Sequence, residues 1–396
     1  MKKVLFVIPD KSYKSQDFVN AANKLGIDMV IVTDSEQAAQ QLGAKNIFSM
    51  KFDHFSKEKL SNIPRDIDIA IPVDHSSVLF TSKLVEELGV NGNSFESVKN
   101  CLYKATTREK LTDINQLQPK FIKAKSLNEI NKFREKINSK IIIKPNDGVA
   151  SIGVMSVDNG ESRDTEIVDI INSCSNKEVV VEEFFEGQEY AYEGYLKEGE
   201  LKTIVIFEKP GDYSGPYFEE KIFIAPSDID TEKVHEIQKV CQSACTELGL
   251  TFGPVHIEFK IINNKIFIIE VNPRTIGGLC SRSLNFNLFK NSLETVILSD
   301  LVNDKPMSLD LASNSTGVLM LPIPEEGVFK GIKNIEKANQ IKEIVNIEIS
   351  LPIGTYINKP PFSERYLGFV FANGQSNVET KNALIECEEL LEPIIE

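Results

Sequence analysis

The chain has 396 residues, enough for two or three domains at about 150 residues each. Lys and Arg number 44 against 58 Asp and Glu, and the resulting net charge of −14 excludes a dedicated binder of phosphate backbones, so no nucleic-acid partner is expected. No apolar run approaches the ~18 residues of a spanning helix, so no membrane partner is expected either, and six cysteines scattered without paired spacing point to a reducing, cytoplasmic compartment.

The opening MKKVLFVIPD is too short in its apolar part for a secretory leader and reads as a first buried strand. Helices over 18–25, 35–42 and 78–88 alternate with strands at 4–8, 29–33 and 68–73, the pattern of a parallel α/β sheet. Pro9-Asp10 follows the first strand in place of a glycine fingerprint, so a dinucleotide site is not supported. From about residue 98 the texture becomes α+β. A helical stretch (97–113) and a helix near 127–138 lead into strands at 140–145, 153–157, 178–185, 189–196 and 201–208. A helix at 231–248 precedes two strands split by Asn263-Asn264. The tail gives strands GVLMLPI, IVNIEIS and LGFVFA, a short helix near 335 and a final helix at 377–391. The polar pieces at 158–177 and 303–315 read as surface connections. Cys241 and Cys245, four apart in a helix, read as small buried hydrophobes rather than a metal or disulfide pair.

The richest pattern lies at 255–274. With Asn263-Asn264-Lys265 as a three-residue loop, Val255, Ile257, Phe259 and Ile261 share one face with Phe267, Ile269 and Val271. On the other face Glu258 stands opposite Glu270, and His256 opposite Asn272. A two-residue loop sets Glu258 against Ile269 and scrambles both faces, and a slip of that kind is strongly disfavoured. Opposed carboxylates repel, so a cation is expected between them. Two carboxylates and an amide oxygen suit Mg²⁺, with Mn²⁺ an alternative. A solvated acidic sheet face is the competing reading. Arg274, just past Asn272, favours the metal by adding an anion clamp.

Upstream, Lys144 ends a strand before a loop holding Gly148, Ser151 and Gly153. Small residues there let backbone N–H groups approach phosphate, and the lysine adds a point charge. The run Glu182-Glu183-Phe184-Phe185 then offers an extended edge to a purine, and Glu189 a carboxylate to ribose hydroxyls. A plain hairpin turn and an acidic hairpin end are the bland readings of these two segments.

Together these segments resemble the ATP-grasp superfamily, in its carboxylate–amine ligase branch, which includes the bacterial L-amino-acid (dipeptide) ligases. The resemblance covers most of the chain. It implies a pre-ATP-grasp Rossmann-like domain over 1–97, and an ATP-grasp domain over 98–300 with a mobile lid subdomain at about 110–184. A C-terminal subdomain over 301–396 packs on that core. CLYKATTREKL resembles the segment with a nucleotide-contacting lysine, here Lys104. IIIKP and its loop imply the second lysine, Lys144, and the phosphate lid at Ser151 and Gly153. EEFFEGQEY implies the adenine hinge at Glu182 to Phe185 with the ribose acid Glu189. GPVHIEF and IIEVNPR imply metal ligands Glu258, Glu270 and Asn272, and a phosphate- and acyl-contacting Arg274.

What the resemblance implies is activation of a small carboxylate by ATP as an acyl phosphate, followed by attack of an amine. Phosphoryl transfer of this kind is mainly positioning and charge neutralisation. His256 has two readings, a general base for the amine or a buttress for Glu258. Arg282 is a candidate clamp for a substrate carboxylate, Glu219 or Glu220 for an ammonium, and Gly277-Gly278 leave room at the acyl site. A homodimer is expected from the resemblance alone. The rival readings are a bicarbonate-activating or purine-pathway ATP-grasp enzyme and, from another class, a non-catalytic ATP-binding sensor.

Overall fold

Four parallel strands come first, β1 (Lys3–Ile8), β2 (Asp28–Thr33), β3 (Ile47–Ser49) and β4 (Ile69–Pro72), in the order β3-β2-β1-β4. The two faces of β1 enter separate cores, Val4, Phe6 and Ile8 in one and Leu5 and Val7 in the other. Burial on both sides is why the strand reads as an unbroken apolar run. The winding reverses at β1, since β2 and β3 lie to one side and β4 to the other. The loops after β1 and β4 therefore flank a switch point, the place where open parallel sheets bind ligands. The helix His75–Leu88 begins there, with Asp74 as N-cap and Ser77 returning a bond to the cap backbone. The computed structural model describes residues 2–10, 12–43, 46–114, 117–211, 215–285, 291–307, 314–363 and 366–396.

The single helix expected at 97–113 is broken. Tyr103 is extended, and it separates helix Phe95–Leu102 from helix Lys104–Lys110. Lys104 consequently opens a helix instead of riding inside one, and its N–H donates to the Asn146 carbonyl at 2.8 Å. Strands β5 (Phe121–Ala124), β6 (Ile141–Pro145), β7 (Met155–Val157) and β8 (Val179–Glu183) form an antiparallel sheet ordered β5-β8-β6-β7. Helices Leu127–Ile137 and Asp164–Ser173 cover it. The second of these lies inside 158–177, read above as a connection. Ile167, Ile170 and Ile171 supply a buried helical stripe within that polar stretch. Of the other such piece, 303–315, residues 308–313 lie outside the described residues.

Strands β9 (Gln188–Lys197), β10 (Glu200–Lys209), β11 (Ile222–Ala225), β12 (Gly253–Ile262) and β13 (Lys265–Asn272) form most of the main sheet. Of the tail strands β14 (Ser315–Leu321), β15 (Gly327–Lys333), β16 (Ile344–Ile349), β17 (Tyr356–Ile357), β18 (Gly368–Gly374) and β19 (Glu392–Ile395), three extend it. The order is β13-β12-β9-β10-β11-β14-β18-β16, while β17-β15-β19 make a small separate sheet. The short strand β11, absent from the sequence reading, is the seam. Its pairing with β14 carries one sheet across residue 300. One core likewise joins Val4 and Phe6 of the first sheet to Ala191, Phe207, Phe223 and Phe369 of the main sheet. No helix among the described residues is long and apolar enough to cross a membrane.

Candidate active site

The acidic hairpin forms, by a route the sequence reading disfavoured. Asn263 and Asn264 both take positive φ, 47° and 64°, making a two-residue turn with Ile262 opposite Lys265. Near the tip the pairing is therefore Phe259 with Ile268. A bulge then intervenes, and beyond it Glu258 pairs with Glu270 and His256 with Asn272. The extra residue turns Ile269 and Glu270 to the same side. Phe267 and Ile269, expected in the core, line the cavity instead, while Ile266, Ile268 and Val271 enter the core. The expected pairing of acids and the disfavoured loop length are thus both present, reconciled by one bulged residue.

Glu258 and Glu270 meet His256, and one ligating atom from each lies within 4.8 Å of the others. His256 Nδ1 contacts Glu193 Oε1 at 2.5 Å and Nε2 contacts Glu258 Oε1 at 3.2 Å. Burial alone favours a neutral ring, but Glu193 and Glu258 raise it to about 9. With both ring nitrogens engaged by carboxylates, the arrangement suits the buttress reading better than the general base. Against burial, Lys209 and His256 hold Glu258 well below the usual carboxylate range. Lys209, unread in the sequence, is 1% exposed and places Nζ 3.2 Å from Glu258, 3.0 Å from Glu220 and 3.2 Å from Glu189. Burial pushes Glu220 up to about 7, with Lys209 opposing and Glu258 reinforcing. Asn272 stands beside the acids, its Nδ2 donating to Glu270 Oε1 at 2.7 Å. Two hard carboxylates opposed on one sheet face, with a third beside them, fit a divalent cation such as Mg²⁺.

Lys144 and Lys104 reach the same cavity from β6 and from the helix Lys104–Lys110. Lys144 Nζ donates to Glu182 Oε2 at 2.9 Å, and burial lowers its pKa. Lys104 Nζ donates to the Gly148 carbonyl at 2.5 Å and lies 3.7 Å from Glu270. Glu182, Glu183, Phe184, Phe185 and Glu189 all line the cavity. The Glu182 carboxylate is consumed by Lys144 and by Arg108, a residue the sequence reading passed over. Glu189 is shared between Lys209 and Lys260. In the loop after β6, Gly148 to Ser151 line the cavity, but Gly153 sits behind them. Its N–H donates to the Pro361 carbonyl at 2.7 Å, and its φ of +70° beside Pro145 marks a turn behind the cavity wall.

The opposite wall comes from the switch point of the first sheet. Tyr13 and Lys14 follow β1, and Asp74 and His75 follow β4; all four line the cavity and none was read from the sequence. The switch-point rule applied to the first strands was the available signal. Lys14 Nζ donates to the Thr275 carbonyl and hydroxyl, both at 2.9 Å, and burial beside Arg274 lowers its pKa to about 8. Arg274, Gly277 and Gly278 face these residues. Two atoms on this wall, Arg274 Nε and His75 Nδ1, are buried without a hydrogen-bond partner. Two other candidates fall elsewhere. Arg282 is absent from the lining because Asp17 and Glu348 hold it at 3.1 and 3.4 Å. Glu219 lines a small neighbouring cleft and is absent from the lining of the main cavity, which Glu220 joins.

A family model described as an ATP-grasp domain matches residues 137–283, and one described as L-amino acid ligase C-terminal domain 2 matches 319–396. The chain carries an ATP-grasp domain followed by an L-amino acid ligase C-terminal domain. This ATP-grasp chain is 32% identical over 189 residues to a D-alanine–D-alanine ligase of Buchnera aphidicola, 46% of this chain and 59% of that one. It thus spans about three fifths of that relative. The crystal structure of an L-amino acid ligase from Bacillus licheniformis superposes with a TM-score of 0.83 at 20% identity, over 100% of this chain and 99% of that one. An N5-carboxyaminoimidazole synthetase from Staphylococcus aureus complexed with ADP gives 0.74 at 16% identity, over 98% and 97%. At these identities the likeness is one of fold.

Proposed function

We propose that this ATP-grasp chain is an ATP-dependent ligase joining an amino acid or other small carboxylic acid to an amine, with ADP and phosphate released. The observation that carries the reading is the pair Glu258 and Glu270, opposed on one hairpin face in a cavity that Lys104, Lys144, Lys209 and Arg274 also line. Lysines and an arginine that converge beside an opposed acid pair suit a polyphosphate with its divalent cation better than any neutral substrate. Ile142, Val154, Phe184, Phe267 and Ile269 give that cavity an apolar end suited to a purine. Glu189 is the acceptor for ribose hydroxyls. A divalent cation, Mg²⁺ or Mn²⁺, held by Glu258 and Glu270 supplies neutralisation of phosphate charge.

In the first step a carboxylate oxygen of the acid attacks the γ-phosphorus, the bond to the bridging oxygen breaks, and ADP leaves with an acyl phosphate formed. In the second the amine nitrogen attacks the acyl carbon, the carbon–oxygen bond to phosphate breaks, and the amine proton passes to solvent or phosphate. Arg274 Nε and His75 Nδ1, the two unpartnered atoms, face the place where the acid binds. Glu220 is the acceptor for an ammonium. The Gly148–Ser151 loop covers the acyl phosphate, which water otherwise hydrolyses. The division into 1–97, 98–300 and 301–396, a homodimer and a cytoplasmic location belong to the same proposal.

Release of phosphate and ADP, with Mg²⁺ and with amino acids offered singly and in pairs, tests it. The expected result is release that needs a carboxylate donor and rises with an amine. Dependence on bicarbonate alone points to the bicarbonate-activating relatives. ATP binding without turnover on any mixture points to a sensor.

A further inference from the structure

The bulge that brings Glu258 and Glu270 together leaves backbone carbonyls in need of donors, and one side chain takes them. Arg108 lies one helical turn after Lys104 on the helix Lys104–Lys110, with its guanidinium buried and 2% exposed. Nη1 donates to the Ile268 carbonyl at 2.8 Å and Nη2 to the Ile269 carbonyl at 3.0 Å, the two residues at the bulge. The other edge of the same plane grips Glu182, Nε to Oε1 at 2.7 Å and Nη2 to Oε2 at 3.3 Å. Phe267 lies under it at 5.0 Å. Glu182 in turn receives Lys144 at 2.9 Å. One planar group thus touches the metal hairpin, the hinge strand β8 and, through Glu182, the lysine of β6.

We infer that Arg108 is a positioning residue: it locks the β13 bulge so that Glu270 faces Glu258, and it holds Glu182 so that Lys144 points into the cavity. The inference rests on the reading of Glu258 and Glu270 as metal ligands. A bulge without its carbonyl donors has lost the reason to stay where it is, and a one-residue slip turns Glu270 off the site. Lysine cannot substitute. An ammonium is a single point with three donors, whereas two carbonyls and a carboxylate lie here around the rim of a plane.

The test measures ADP binding by calorimetry with and without Mn²⁺, on the full chain and on Arg108→Lys and Arg108→Leu. Mn²⁺ is expected to tighten ADP binding in the parent chain, and that gain is expected to shrink about 10- to 100-fold in both variants, the range for loss of an outer partner of a metal site. Amide hydrogen exchange at 267–271 in the ligand-free variants is expected to quicken while the helix Thr231–Leu248 stays protected. A role limited to general stability lowers the melting temperature but leaves the Mn²⁺ gain of the folded fraction intact, and that result overturns the inference. If Arg108→Leu does not fold, Arg108→Lys and its exchange pattern decide. A parent chain that binds ADP with no Mn²⁺ gain overturns both the inference and the ligand assignment; a normal gain kept by the variants overturns the inference alone.

Discussion

Two buried polar clusters lie on either side of Lys104, and they are built to opposite specifications. Around Arg108 the hydrogen bonding is closed: Glu182 accepts from Arg108 and Lys144, and the bulge carbonyls accept from the same guanidinium. Around Glu258 carboxylates crowd one another and polar atoms are left open. Glu189, Glu220 and Glu258 crowd Lys209, Glu270 adds a further carboxylate, and Arg274 Nε and His75 Nδ1 stand unpartnered on the facing wall. A saturated cluster costs least when nothing moves. An unsaturated one stores the valences that a ligand completes. The difference teaches which half of a buried network is frame and which is site.

The comparison breaks most visibly at Glu270. Glu270→Gln keeps the size and the Asn272 contact while removing a charge from the unsaturated side. Ligase turnover is expected to fall by about 10³-fold, the upper end for loss of one charge-stabilising group, with the far-ultraviolet circular dichroism unchanged. Steady-state kinetics at saturating ATP check it. A loss below about tenfold removes Glu270 from the metal assignment.

Glu182 tests the saturated side, by pH. In spite of burial, Arg108 and Lys144 pull its carboxyl down to about 2 from the ordinary 4.5. A depressed carboxylate stabilises the fold above its unfolded pKa, and that contribution drains away as pH falls from 4.5 toward 2. Glu182→Gln is therefore expected to lose up to about 3 kcal/mol at pH 7. The gap between variant and parent should narrow at pH 3. Denaturant unfolding at both pH values measures it, and a gap that does not change with pH contradicts the account.

How far the sequence announced all this follows the same division. The pairing of Glu258 with Glu270 was legible because a hairpin alternates with period two and both acids occupy the polar phase. The turn was misread because Asn-Asn at positive φ shifts the register by one, and a bulge that restores it leaves no mark in a periodic pattern. Arg108 was invisible for another reason. On a short helix rich in Lys and Thr it looks like a solvated residue, and its partners at Glu182 and Ile268 are distant in sequence. Lys14 and His75 were recoverable, since they sit after β1 and β4 where the strand order reverses. Ion pairs that join distant segments are what single-sequence periodicity cannot reach.

His75 probes the unpartnered wall more gently. Burial beside Arg274 lowers its pKa to about 4, so at neutral pH it is an uncharged ring with an open Nδ1. Loss of one neutral hydrogen bond costs about 0.5–1.5 kcal/mol. His75→Ala is therefore expected to raise KM for the acid substrate by up to about tenfold. The constant for ATP should hardly move. A change confined to ATP would reassign this wall to the nucleotide.

The smallest effect is expected at Arg282, and it sharpens the contrast by lying outside both clusters. It was a candidate clamp for a substrate carboxylate, yet its guanidinium reaches Asp17 and Glu348, side chains 18% and 40% exposed. Ion pairs in such solvent-accessible settings contribute about 0–1 kcal/mol, because water and salt screen what geometry provides. Arg282→Ala should thus leave kcat/KM for acid and amine within about twofold of the parent and cost at most about 1 kcal/mol in unfolding free energy. The stability loss should shrink as salt rises, which a series of denaturant titrations at increasing ionic strength reads directly. A tenfold rise in KM for one substrate, insensitive to salt, would instead mean that the Asp17 contact opens on binding and that the residue swings into the cavity it does not line here.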